Sequence, residues 1–173
     1  MIDFESKVIS REVSQLLWEM EKTVGTAESC TGGRIAEALI SIPGASKYFK
    51  GGIVCYVDEI KERLLNVDAQ VLEEQTAVCE EVARQLVKGA CHTLNTDYAI
   101  AATGFAGPTG GTPYKPVGTV WIAWATPWGT EAKRFAFGVA REREQITQRA
   151  VTAAIVELIK SLNSSGSAAF TKH

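Results

Sequence analysis

A short apolar strand at residues 23 to 28 runs into the turn Ser29-Cys30-Thr31-Gly32-Gly33, and a helix from Gly33 to about Ile42 follows, ended by Pro43-Gly44. The same hand-over from strand to helix recurs along the chain, and it constrains the fold more than any other feature, because strands alternating with helices build sheets covered on both faces. The turn also has chemical content. Backbone N–H groups of a first helical turn lack intrahelical partners, so they form a site for phosphate or an oxyanion, with Ser29 and Thr31 beside it. Equally, Ser29 or Thr31 could serve only as a helix cap, with the glycines easing the turn.

The remaining pattern completes an α/β plan. Ile9, Val13, Leu16, Leu17 and Met20 recur at helical spacing and predict a helix over residues 4 to 22. Gly51 to Val57 is a second strand, after which Asp58 is expected to cap a short helix. Val82, Ala83, Leu86, Val87 and Ala90 mark a helix from Val78 to Leu94. Tyr98 to Thr103 is a third strand and runs into a glycine-rich loop, Gly104 to Gly111. Strands at 117 to 126 and 131 to 138 flank the hairpin signal Pro127-Trp128-Gly129, and a last helix spans 142 to 162. The expected fold is a three-layer α/β/α sandwich with a mixed, mainly parallel sheet. It forms a single domain over residues 1 to 162, and the Ser-, Gly- and Ala-rich stretch 163 to 173 is expected to be a disordered tail.

Composition narrows the function. The 173 residues carry 18 lysines and arginines against 20 acids, a net charge of −2 without a basic run, which argues against nucleic acid as a partner. No signal-like amino terminus and no membrane-length apolar window occur, so a cytoplasmic protein without membrane attachment is expected. Four cysteines (Cys30, Cys55, Cys79, Cys91) show no C-x-x-C spacing, and His92 and His173 are the only histidines, so no metal site is expected. A serine nucleophile in this chain would need a base other than histidine.

In open α/β sheets, segments that follow the carboxyl ends of parallel strands converge on the ligand. Here these are Ser29 to Gly33, Tyr56 to Lys61 and Thr103 to Gly111: a hydroxyl with free amides, a phenol with an amine, and a glycine-rich cradle. Lysine acts as a base only as the neutral amine, which desolvation and a cationic neighbourhood favour. In that form Lys61 could deprotonate Ser29, with Tyr56 relaying or donating a proton. The loop matches neither a P-loop nor G-x-G-x-x-G. Arg141, Arg143 and Arg149 could supply a cation for a phosphate.

Taken in order, TAESCTGG (26 to 33), GGIVCYVDEIKERLLNV (51 to 67), AVCEEVA (77 to 83), TGFAGPTGG (103 to 111) and KPVGTV (115 to 120) resemble the C-terminal domain of the competence/damage-inducible protein CinA and its stand-alone nicotinamide-nucleotide amidase form. The resemblance covers nearly all of residues 5 to 162. It implies a three-layer α/β/α fold, no cofactor, a homodimer, and hydrolysis of the carboxamide of nicotinamide mononucleotide. It places the nucleophile on Ser29, the base on Lys61 and the assisting tyrosine on Tyr56. Substrate contacts would come from Cys30, Thr31, Gly32, Gly33, Thr103, Gly104, Ala106, Gly107, Gly110, Gly111 and Arg143.

The chain departs from the common family pattern where ligand is expected. Y-S-N-E becomes Tyr56-Val57-Asp58-Glu59, A-V-S-E becomes Ala77-Val78-Cys79-Glu80, and G-P-D-G-G becomes Gly107-Pro108-Thr109-Gly110-Gly111. Gly-Asp-Arg before the last helix becomes Arg141-Glu142-Arg143. Sites built on specific hydrogen bonds reject substrates strongly when those bonds are lost. The alternative to the amidase is therefore a catalytically silent paralogue that binds a nucleotide-like ligand, or an enzyme acting on a different amide.

Overall fold

The computed structural model describes residues 4–138 and 142–169. Five strands, β1 (Val24–Glu28), β2 (Phe49–Val54), β3 (Tyr98–Gly104), β4 (Thr119–Thr126) and β5 (Gly129–Ala136), form one sheet in the order β2-β1-β3-β4-β5. β1 pairs in parallel with β2 and β3, while β4 is antiparallel to both its neighbours, so β4 alone runs against the other four strands. Six α-helices cover the sheet: α1 (Phe4–Glu19), α2 (Arg34–Ile40), α3 (Asp58–Leu65), α4 (Ala69–Gln75), α5 (Glu80–Leu94) and α6 (Arg143–Ala169).

The period-2 alternation of β3 shows how the layers arise. Tyr98, Ile100 and Ala102 face a core shared with Val13 and Leu17 of α1, Ile35 and Leu39 of α2, and Ile155 and Leu158 of α6. Ala99 and Ala101 point the other way, into a core built from Leu65, Leu72, Val82, Leu86 and Val87 of α3 to α5. A strand buried on both faces has no solvent side, which is why Tyr98 to Thr103 reads as a continuous run of small and apolar residues. The expected three-layer sandwich with a mixed, mainly parallel sheet is thereby found.

Close packing of α5 fixes the height of α3. A Cβ on Gly89 would lie 2.2 Å from the Leu65 carbonyl oxygen and 2.7 Å from its Cα, so only glycine allows α5 to run this close beneath the end of α3. Lys61 sits on that helix, and its depth is set by the same contact.

Several element bounds differ from the sequence expectation, each for a local reason. β2 starts at Phe49 and ends at Val54 rather than 57, because the chain turns there into α3, whose N-cap is already Val57. Val57, not Asp58, is the N-cap of α3, without a side-chain cap bond; Asp58 is its first helical residue. α4 was not foreseen: it is one short element of seven residues with Asp68 accepting from Gln70 N–H, and its only buried side chain is Leu72, too little for a periodic signal. α6 continues past 162 to Ala169, and residues 170–173 lie outside the described residues.

Candidate functional site

Parallel register brings the three expected segments to one sheet edge. Glu28 pairs with Val54 on one side and Ala102 on the other, so Ser29, Cys55 and Thr103 lie side by side at this edge, Thr103 still within β3. Ser29 N–H donates to Ala102 O at 2.9 Å, and Cys55 N–H to Glu28 O at the same distance, extending both ladders by one residue. Ser29 lies at this edge, nine-tenths buried.

The turn after Ser29 is held by a carboxylate. Glu28 is buried, and its two oxygens accept N–H bonds from Gly33 (3.0 Å), Ile35 (3.0 Å) and Ala36 (2.8 Å) at the head of α2. An anion at a helix N-terminus satisfies the orphan donors and the dipole together. The first-turn donors expected to face a ligand are instead occupied by the protein's own Glu28. Gly32 N–H turns back to Ser29 O at 3.2 Å. Gly32 and Gly33, at φ +59° and +97°, therefore supply the left-handed backbone of the turn more than donors. Cys30 N–H turns onto its own thiol, and no backbone acceptor faces Thr31 N–H within the described residues. The Thr31 hydroxyl is buried without a partner among the described residues. The Cys30 thiol packs in the core, where burial pushes it up to about 12.

Lys61 is fully buried at 1% exposure. Its Nζ donates to the Tyr56 carbonyl oxygen at 3.1 Å and to Asp58 Oδ1 at 3.0 Å, so two of three ammonium donors are engaged and neither reaches Ser29. The expected contact between the Tyr56 phenol and Lys61 or Ser29 is likewise not made. Tyr56 is exposed, and its hydroxyl accepts from Arg143 Nη2 at 2.9 Å. Lys61 does lie beside Cys55, whose buried thiol is pushed up to about 11 by desolvation, against the pull of the Lys61 charge.

Arg143 joins the second segment to the third, for its Nη1 donates to Gly107 O at 2.8 Å. Within that loop Ala106 is buried, and Thr103 gives its hydroxyl to Ala77 O at 2.9 Å. Gly104 lies against Thr119 and Val120, so its role is close packing. Gly110 and Gly111, with Pro108, Thr112, Pro113, Pro116 and Val117, line a cavity of about 400 Å³. Arg149 is exposed on α6, and Arg141 lies outside the described residues. Arg34, which the sequence reading passed over, donates through both Nη atoms to Glu144 at 2.7 and 2.8 Å, tying α2 to α6 beside Arg143. An arginine directly after a Gly-Gly turn was the available signal. No helix of the described residues is long and apolar enough to cross a membrane.

These features define a three-layer α/β protein with its candidate site at the carboxyl edge of a mixed sheet, where a serine turn, a buried lysine and a glycine-rich loop meet. The chain belongs to the CinA C-terminal domain family, whose model matches residues 6–162. It is 47% identical over 146 residues to a CinA-like protein of Geobacter sulfurreducens, covering 84% of this chain and 35% of that one. It is 43% identical over 145 residues to a CinA-like protein of Gloeobacter violaceus, covering 84% and 34%. The chain thus spans about a third of the length of these curated relatives. Among solved structures it resembles the competence/damage inducible protein CihA from Agrobacterium tumefaciens, at TM-score 0.90, 34% identity, and 94% and 98% coverage. The competence damage-inducible protein A (ComA) of Klebsiella pneumoniae superposes at TM-score 0.87 with 35% identity, covering 91% and 97%.

Proposed function

We propose that this chain is an amidase that hydrolyses the carboxamide of nicotinamide mononucleotide to nicotinate mononucleotide and ammonia. The observation that carries the reading is the register at the sheet edge: Ser29, the Cys55-to-Lys61 segment and Thr103 lie beside one another at the ends of three parallel strands. In the reaction Ser29 Oγ attacks the carboxamide carbon while Lys61 Nζ takes the hydroxyl proton. The tetrahedral oxyanion is met by backbone N–H groups of the turn after Ser29, Thr31 foremost. Lys61 returns the proton to the departing nitrogen, the C–N bond breaks, and ammonia leaves an ester on Ser29. Water then attacks that ester, giving the acid and regenerating the serine.

The contacts of Lys61 require one movement for this cycle. Lys61 Nζ swings from Asp58 toward Ser29 while keeping its bond to the Tyr56 carbonyl; catalytic hydrogen bonds often tighten only when substrate is bound. Thr103 and the Gly104-to-Gly111 loop would line the nucleotide, with Arg143 holding Tyr56 and Gly107 at the mouth.

Hydroxylamine tests the covalent step. Turnover of nicotinamide mononucleotide in its presence should divert part of the product to the nucleotide hydroxamate, in proportion to hydroxylamine. Ammonia release with no hydroxamate would mean direct attack by water and would remove Ser29 as nucleophile. No ammonia at all would favour the silent, nucleotide-binding paralogue.

A further inference from the structure

Two guanidinium groups meet at the first turn of α6, and they are engaged differently. Arg143 is fixed to the architecture through a backbone carbonyl and a phenol, Gly107 O and Tyr56 OH. Among the described residues Arg34 holds the Glu144 carboxylate through both its oxygens, at 2.7 and 2.8 Å, with the Glu37 charge also acting on it. The Glu144 side chain is 69% exposed and that of Arg34 38%, so water reaches the pair and the carboxylate can swing away. The Arg34 fork holds Glu144 firmly enough to keep its carboxyl below the usual range.

The fork matches the paired oxygens of a carboxylate and of a phosphate alike, and a phosphate monoester carries more charge. Arg34 follows the Ser29-to-Gly33 turn directly in sequence, and its partner Glu144 is the chain neighbour of Arg143, which holds Gly107 and Tyr56 of the other two site segments. The amides of Gly33, Ile35 and Ala36 at the head of α2 do not compete for that phosphate, because Glu28 already holds them.

We propose that Arg34 recognises the phosphate monoester of a nucleotide substrate, and that Glu144 occupies the guanidinium fork until the phosphate displaces it. The proposal rests on the amidase reading for the reaction and adds the residue that separates nucleotide from nucleoside. One anion replaces another, so the guanidinium is never left bare during the exchange.

The test compares KM for nicotinamide mononucleotide and for its unphosphorylated nucleoside across wild type, Arg34→Ala, Arg34→Lys and Glu144→Gln. Calorimetric binding of the nucleotide and of inorganic phosphate is measured on the same proteins. Arg34→Ala should cut the preference for nucleotide over nucleoside about tenfold, the size of one water-accessible charge-assisted contact. Arg34→Lys should restore part of it, and Glu144→Gln should tighten nucleotide binding by removing the competitor. An unchanged preference in Arg34→Ala, or a Glu144→Gln variant that weakens nucleotide binding, would overturn the assignment and leave the pair as a brace between α2 and α6. If wild type releases ammonia from neither compound, the amidase reading fails on its own, and calorimetry still decides Arg34. Nucleotide binding about tenfold tighter in wild type than in Arg34→Ala upholds the proposal; equal binding, or none, overturns it.

Discussion

Removing the Glu28 carboxylate should be among the costliest single changes in this chain. The side chain is 1% exposed and accepts three backbone N–H bonds at 2.8 to 3.0 Å, so Glu28→Ala strands three donors at the head of α2. Hydrogen bonds to a charged acceptor contribute about 1.5 to 3 kcal/mol each, giving roughly 4 to 9 kcal/mol gross. Two terms reduce that: the wild-type carboxylate bears a desolvation cost, and water can reach the partly exposed Gly33 and Ala36 once the side chain is gone. A net loss of about 3 to 5 kcal/mol remains, or roughly 1.5 to 2.5 M in urea midpoint at an m-value of about 2 kcal/mol/M. Glu28→Gln keeps one oxygen for Gly33 and Ile35 but turns an NH₂ toward the Ala36 donor, and should cost about half as much, near 1.5 to 3 kcal/mol. Equilibrium urea unfolding of the three proteins checks the order. A Glu28→Ala protein within 1 kcal/mol of wild type, or a Gln variant as damaged as the Ala variant, would refute the reasoning.

Three further outcomes are expected. Cys79 caps α5 with a thiol 3.5 Å from Val82 N–H, and Cys79→Ser replaces a weak acceptor with a strong one; thermal unfolding should show about 0.5 to 1 kcal/mol of added stability. Gly89→Ala would gain about 1 kcal/mol of helix propensity, but its Cβ meets Leu65 backbone at 2.2 Å and overpacking of that kind costs about 1 to 3 kcal/mol or more, so urea unfolding should show net destabilisation. Burial pushes Cys30 to about 12 and Cys55 to about 11 from an ordinary 9.0, so both thiols stay neutral when folded while the unfolded chain releases protons. Their contribution is constant below pH 9 and lost as pH rises from about 9 to 11 or 12, at most about 1.4 kcal/mol per pH unit per thiol. The wild-type stability minus that of Cys30→Ala/Cys55→Ala, measured at pH 8 and pH 10, should shrink at the higher pH.

Periodicity made the strands and long helices legible, because β3, α5 and α6 each bury continuous or 3.6-periodic apolar residues. α4, with one buried residue, leaves no such trace. At the site, the sequence located the three segments, since parallel register converts their positions after β1, β2 and β3 into spatial neighbours. It did not reveal which polar groups pair. Glu28 reads as the last residue of a strand, and only the fold of the turn shows its carboxylate closing α2. Asp58 reads as a helix cap, yet its carboxylate holds Lys61, a choice between two local acceptor roles that spacing does not decide. Arg34 and Glu144 are 110 residues apart, and no local pattern links them.

The central claim is that Ser29 is the nucleophile of a carboxamide hydrolase, and ammonia release from nicotinamide mononucleotide by wild type and Ser29→Ala tests it most directly. Wild type should turn over at ordinary enzymatic rates, roughly 1 per second or faster, and Ser29→Ala should fall to background while unfolding at the same urea concentration. Ammonia release by Ser29→Ala at a rate comparable to wild type would contradict the account.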